Sequence, residues 1–481
     1  MKSSANSNTN NNSLLFPYQE EGVNFLIDHD GGFLLDEQGL GKTIQTITAL
    51  SKYYSHHVIS KILIVCPAIM RATWEQEIED WFHVDYSFYP ALLKDIKVQV
   101  ITKKTETVDA DTTICICSYE YVTARYNKKS LLTEKFDAVI LDESHKIKNP
   151  GSQRTKACLQ LLLHDQTKVR ILLTGTPITK GVDDLYTQLR PFYSPADVVK
   201  LLGKSIWAFR EKYMYKKDSL FGTEYYGCKR PDELKSVLHE VSLRRKKSDV
   251  LKQLPKLLHE RVFIDIPQTL ANESLMYVDV AISAVMGESW KGVDKDTVEH
   301  IASMRKNLGV AKLRGTVEYI KFLLDKEDSR YEANKKKLVV FAYHNDVIKA
   351  LTQTLNFNVN VRTEYIIGET PADKRQELIK RFQSDDEDAP SGAYGSEAPL
   401  QVLILNILAG GVGITLTKAH TEIFAELDWT PANIAQAEAR CHRIGQKEDV
   451  NVVFLLAKDS LDSHIFNVIE RKMRVLDTME L

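Results

Sequence analysis

The chain has 481 residues, enough for two domains with full cores, and its 43% hydrophobic and 27% charged residues are those of a soluble globular protein. A net charge of −2 excludes a globally basic nucleic-acid binder, so any such partner needs a local basic groove. Cys66, Cys115, Cys117, Cys158, Cys228 and Cys441 are too scattered for a zinc site or a disulfide framework, and no apolar run reaches the ~18 residues of a membrane span, so an intracellular, reducing setting is expected.

Residues 1–13, "MKSSANSNTNNNS", form a polar, low-complexity tail expected to be disordered. Apolar runs then recur, each followed by a turn signal and a helical pattern. "GGFLLDE", "KILIVCPA", "TTICICSYE", "FDAVILDES" and "VRILLTGTP" mark strands in a first unit, 14–192. The segment 193–330 is mostly helical in pattern and serves as insertions and connector. It holds "WAFREKYMYKKDSLFGTEYYGCKR", whose interleaved aromatic and basic residues suit either a nucleic-acid grip or a helical subdomain with solvated ends. "LRRKKSDVLKQLP", Leu243 to Pro255, leads out of the first unit. "KKLVVFAYH", "VNVRTEYIIG", "LQVLILNIL", "TEIFAELDW" and "VNVVFLLAK" mark strands of a second unit, 331–481, interrupted by an acidic stretch at 383–399 read as an exposed loop. Buried-strand runs alternating with helices predict an α/β fold with two parallel sheets.

The chemistry begins at "LLDEQGLGKTIQTI". It lies between a strand and a helix, as a phosphate-binding loop does, but position 36 is Asp where the general pattern has Gly. On this reading Gly39 and Gly41 let backbone N–H groups approach phosphate, Lys42 reaches the outer phosphates and Thr43 ligates Mg²⁺. The alternative is a β–α turn with a solvated lysine. "AVILDESH" ends a strand on two acids: Asp142 to hold Mg²⁺, Glu143 to orient or deprotonate an attacking water. Thr174 and Thr176 of "LLTGTP" either link those acids to motion elsewhere or cap a helix. In "QAEARCHRIGQ", a helical reading places Arg440 and Arg443 three apart on one face. There they are either arginine fingers, fitted to a transferring phosphate by a planar, always-charged fork, or a surface pair.

The ordered set "PYQEEGV", "DEQGLGKT", "LIVCPAIMRATWEQEI", "DESHKIKN", "LTGTPI", "LRRKKSDVLKQLP", "LAGGVGITLTKAH" and "QAEARCHRIGQ" resembles the Swi/Snf-type ATPases of helicase superfamily two, over nearly all the chain after the tail. That family's loop has Asp at the position of residue 36. The wording of "FAELDWTPANIAQAEARCHRIGQ" is similar to the annealing-helicase branch that includes the HepA-related proteins, although no HARP-type module, zinc finger or chromo-like extension is seen. Cys441 is a mild departure. The resemblance implies two RecA-like lobes, with ATP and Mg²⁺ between them. It implies that Gln19, with Tyr18 beside it, reads adenine, that Gln436 belongs with the arginine fingers, and that Gly411 and Gly413 line the nucleotide. It further implies nucleic-acid contacts at Pro67, Arg71, Thr174, Gly175, Gly410 and Thr415.

The expected function is therefore an ATP-dependent double-stranded-DNA translocase. The alternatives are a strand-separating helicase and a non-catalytic, ATP-switched clamp. Expected partners are duplex DNA, forked DNA included, and possible nucleoprotein; no membrane is implied. The chain is expected to be monomeric and to act in the nucleus, or in the cytoplasm or nucleoid, according to host. DNA binding is assigned to phosphate contacts from local clusters such as Arg244, Arg245, Lys246 and Lys247.

Overall fold

The computed structural model describes residues 15–82, 96–127, 135–179, 181–219, 222–286, 295–325, 336–359, 361–384, 400–410 and 414–478. The Asn-rich tail, the acidic stretch from residue 385 to 399, and Gly411 and Gly413 lie outside them.

All ten anticipated apolar runs are strands, and five further strands accompany them among the described residues. In chain order these are β1 (Gly31–Leu34), β2 (Ile62–Cys66), β3 (Val98–Val100), β4 (Ile114–Ser118), β5 (Ala138–Asp142), β6 (Val169–Leu173), β7 (Tyr215–Ser219), β8 (Gly222–Tyr226), β9 (Ser242–Leu243), β10 (Leu257–Ile264), β11 (Leu338–Ala342), β12 (Thr363–Ile366), β13 (Val402–Asn406), β14 (Thr421–Phe424) and β15 (Val450–Ala457). One sheet runs β3-β4-β2-β5-β6-β1-β9 and a second β10-β15-β14-β11-β13-β12. Every pairing in both is parallel, while β7 and β8 form a separate antiparallel hairpin.

Side chains alternate across each sheet, and both faces are covered. Phe33, Val65, Leu141 and Leu172 enter one core of the first sheet, while Leu34, Ile64, Ile140 and Ile171 enter the other. In the second sheet Val339, Phe341, Leu403 and Phe454 oppose Val340, Ile404, Ile423 and Val453 in the same way. Each such buried aliphatic side chain contributes ~1.5–3 kcal/mol relative to exposure. Two-sided burial is also why these strands read as unbroken apolar runs.

The segment after residue 193 is less purely helical than its pattern suggested. The aromatic and basic stretch is a helix, Ile206–Tyr213, followed by the β7–β8 hairpin. β9 joins the edge of the first sheet beside β1, and β10 joins the edge of the second beside β15. The connector is thus woven into both sheets. In a parallel sheet all strand C-termini lie along one edge, where α/β folds bind ligands. β5, β6 and β1 are adjacent, so the loops after Asp142, Leu173 and Leu34 meet there.

Candidate active site between the two sheets

The loop after β1 turns into the helix Lys42–Ser55 through Gly41, whose φ of 77° is left-handed, and Gly39 has φ 88°. A side chain at either position would be strained, and at Gly41 a Cβ would also strike Gln19 Nε2 at 2.5 Å. The Lys42 ammonium donates to the carbonyls of Asp36 (2.7 Å) and Glu37 (3.3 Å), which draws the loop around it. Burial lowers its pKa, against the pull of Glu143, Asp36 and Asp142. Thr43 follows in the first helical turn.

Asp36 explains its own departure from the general pattern. It is fully buried and accepts from Arg245 Nε (2.9 Å), Arg245 Nη2 (2.5 Å) and Gln45 Nε2 (3.1 Å). Arg245 also donates to Gln45 Oε1 (2.7 Å) and to the carbonyl of Tyr18. A glycine here would leave the buried guanidinium with only the exposed Glu21 carboxylate, 3.3 Å from Arg245 Nη1, as counter-ion. Tyr18 and Gln19 both donate to the Leu40 carbonyl, at 3.1 and 3.3 Å, so the first helix is tied to the same loop. Burial raises the Tyr18 hydroxyl to about 12.

At the end of β5, Asp142 Oδ2 accepts from Trp74 Nε1 (2.9 Å). Glu143 sits at φ 54°, ψ 53°, a left-handed conformation costing ~1–3 kcal/mol for a non-glycine residue and often found at active sites. Four side chains converge on its carboxylate. Gln38 Nε2 lies at 3.5 Å and Gln436 Nε2 at 3.4 Å from Oε1; Thr174 Oγ1 at 3.4 Å and His145 Nδ1 at 3.2 Å from Oε2. Burial and the Glu143 charge raise the Asp142 carboxyl. Burial also works to raise Glu143, but His145, Lys42 and Arg440 outweigh it and hold it ionised.

Arg440 and Arg443 come from the second sheet's side. The helix Pro431–Glu438 ends before both, so they do not share its face as expected. The turn that follows still brings them together, for both guanidiniums donate to the Ile414 carbonyl at 3.4 Å. Arg440 is buried, which lowers its pKa to about 10, and it acts electrostatically on Glu143. Burial likewise lowers Arg443, opposed by Glu77 of the first sheet's helix Arg71–Trp81. A Cβ on Gly39 would lie 3.2 Å from Arg443 Cβ, so the phosphate-type loop and the arginine turn are nearly in contact.

Several expected nucleic-acid contacts are placed otherwise. Thr174 is fully buried and turned toward Glu143, so it has no surface to offer DNA. Gly175 packs against Gln38, with a Cβ position 3.0 Å from its side chain. Pro67 is buried before a short 3-10 turn. Arg71 donates to the carbonyls of Ala68 (3.0 Å), Ile101 and Thr102 (3.3 Å). Gly410 ends the short helix Ile407–Gly410, and Thr415 is partly exposed beside Ile414. In the cluster 244–247, Arg245 and Lys247 are buried and internally bonded, so they are not a phosphate-gripping patch. The sequence does not single out Gln38, His145 or Trp74, and it offers Arg245 only as part of a DNA-contacting cluster. Only the unusual Asp36 hinted at a buried cation.

The donor set fits nucleotide with Mg²⁺. Ionised and partly raised carboxylates crowd one buried spot, facing a lysine and two arginines, beside a glycine turn open to phosphate. Thr43 and Asp142 would supply hard oxygen donors of the kind Mg²⁺ takes. Among the described residues, no group of three or more His, Cys, Asp or Glu forms an all-protein metal cage.

Comparison with known proteins places these features in context. Residues 18–306 match the SNF2-related domain and residues 318–445 the helicase conserved C-terminal domain. A SWI/SNF-related matrix-associated actin-dependent regulator of chromatin subfamily A-like protein 1 homolog from Caenorhabditis elegans is 32% identical over 97% of this chain and 62% of its own length. The DNA annealing helicase and endonuclease ZRANB3 of Bos taurus is 30% identical over 96% of this chain and 40% of its own. The chain thus spans 62% and 40% of these relatives' lengths. A Sulfolobus solfataricus SWI2/SNF2 ATPase core in complex with dsDNA aligns at TM-score 0.43 and 23% identity, over 96% of this chain and 92% of that one.

Proposed function

The chain belongs to the SNF2-related family, and on that premise we propose that it is a DNA-dependent ATPase that moves along duplex DNA. The observation that carries the proposal is the Glu143 carboxylate. It is gripped from the first sheet by Gln38 and Thr174 and from the second by Gln436, so its geometry depends on how the two sheets sit together. A hydrolytic centre built this way couples bond cleavage to lobe position.

In this reading Lys42 leaves the Asp36 and Glu37 carbonyls to bind the outer phosphates, and the N–H groups around Gly39 and Gly41 cradle them. Gln19 and Tyr18 border the base. Thr43 and Asp142 would hold Mg²⁺, which would neutralise phosphate charge. Glu143, kept ionised, accepts a hydrogen bond from the attacking water and aligns it in line with the leaving group. Arg440 and Arg443 stabilise charge on the transferring phosphoryl group, from the opposite lobe. Tracking through phosphates carries little sequence readout. The relatives' names, a regulator of chromatin and a DNA annealing helicase, support DNA as the substrate and a nuclear setting. Among the described residues, no helix is long and apolar enough to cross a membrane.

The test separates two residues. Lys42→Ala is expected to weaken ATP capture or turnover, whereas Glu143→Gln keeps ATP bound and uncleaved. Equilibrium nucleotide binding and single-turnover hydrolysis, measured on both variants, decide it. Wild-type turnover by Glu143→Gln overturns the assignment.

A further inference from the structure

The hairpin β7–β8 is not needed to complete either sheet, yet it carries exposed aromatic rings. Tyr215 and Tyr226 are paired directly across it, with ring centroids 5.8 Å apart, and are 49% and 52% exposed. Residues two apart on a strand share a face, so exposed Lys217 joins the two tyrosines on the outer side, with the Glu224 position directly across from it. The inner side is anchored. Tyr225 donates to Glu211 Oε1 (2.7 Å) and packs 6.2 Å from Trp207, while Lys216 lies 3.6 Å from Glu211. Trp207, beneath the hairpin, is itself 60% exposed.

The supporting helix Ile206–Tyr213 is fastened to the nucleotide-facing edge of the first sheet. Arg210 Nε donates to Asp183 Oδ2 (2.8 Å), and Asp183 follows the "LTGTPI" segment that leaves β6 beside Glu143. Next to it, Asp184 accepts from Thr179 N and Oγ1, both at 2.7 Å. Residues 200–230 carry eight Lys and Arg against three Asp and Glu, a local positive excess in a chain of net charge −2. Exposed rings grouped with cations mark an interaction surface rather than a core. The charge selects an anionic partner, and the flat rings select one with π faces.

We propose that the outer face of the hairpin, formed by Tyr215, Tyr226 and Lys217, binds unpaired bases of a DNA strand that leaves the duplex. The tyrosines stack on bases and the lysine meets a phosphate. Such stacking tolerates any sequence. The proposal rests on the DNA-translocase reading and adds a preference for branched or tailed substrates.

The test uses the full chain and two DNAs: a blunt duplex, and the same duplex with a single-stranded tail bearing a fluorescent purine analogue. The wild type is expected to bind the tailed DNA about tenfold more tightly and to quench the analogue, the signature of stacking. The double variant Tyr215→Leu, Tyr226→Leu keeps apolar bulk on the hairpin and is expected to lose both the preference and the quench. Lys217→Glu, which leaves the rings in place, is expected to reduce the preference as well. Equal wild-type affinity for the two DNAs overturns the proposal, as does a quench that survives in the double variant. Stimulation of wild-type ATP hydrolysis by blunt duplex is read in parallel. Its absence beside an intact tail preference sinks the translocase reading and leaves the hairpin assignment standing.

Discussion

Asp36 and Arg245 form a buried bidentate pair between residues 209 positions apart. Breaking a buried pair costs about 3–5 kcal/mol when the survivor is left with no partner, and the exposed Glu21 carboxylate, 3.3 Å from Arg245 Nη1, offsets part of that here. Asp36→Gly, which restores the general phosphate-loop spelling, is therefore expected to destabilise the fold by less than that full amount. Urea unfolding reads this as a lowered midpoint, and an unchanged midpoint contradicts it. Arg443→Ala is expected to lower ATP turnover by ~10³–10⁵ with little change in ATP affinity, since a finger acts mainly in the transition state. Turnover within about tenfold of wild type would make Arg443 structural. The acids, the lysine and the arginines were legible because their types and order are chemically specific. Their partners were not. Arg245 and Gln38 reach Asp36 and Glu143 from distant parts of the chain, and Gln436, implied only as a companion of the arginine fingers, reaches Glu143 as well; spacing says nothing of such contacts.

Strands buried on both faces were legible as apolar runs, and all ten formed. β10 was missed because an edge strand need not be apolar throughout. Its centre is His259, Glu260 and Arg261, largely exposed. β9 is two residues long, and β3 is only partly buried. The helix before Arg440 stops at Glu438, and Glu438 accepts from or pairs with His259 Nε2 at 3.0 Å, tying that helix to β10. This hydrogen bond outweighs burial and raises the His259 pKa. A raised folded-state pKa means the contribution is complete below the unfolded value of ~6.5 and fades as pH climbs through the folded one. His259→Gln is therefore expected to lower thermal stability at mildly acidic pH and to match the wild type at alkaline pH. Thermal midpoints across that range check it. An equal deficit at every pH would point to lost packing instead.

At the scale of the molecule, the connector is wedged between the lobes. The Lys247 ammonium donates to the His442 carbonyl (2.6 Å) while its backbone N–H donates to Glu37 (2.7 Å), and His442 Nε2 lies 2.8 Å from the Pro255 carbonyl. One short segment thus touches both the phosphate-type loop and the arginine turn. Burial brings Lys247 down to about 8. This arrangement can pass a change at the nucleotide to the relative position of the sheets, which is what a motor on duplex DNA requires. Tracking through the phosphates of an intact duplex needs no strand-splitting element. The most direct measurement is displacement of a third strand from a blunt-ended triplex by the wild type with ATP, run beside a tailed duplex that reports unwinding. The account predicts ATP-dependent release of the third strand with the tailed duplex left paired; robust unwinding of the tailed duplex with no triplex displacement would contradict it and make the protein a strand-separating helicase.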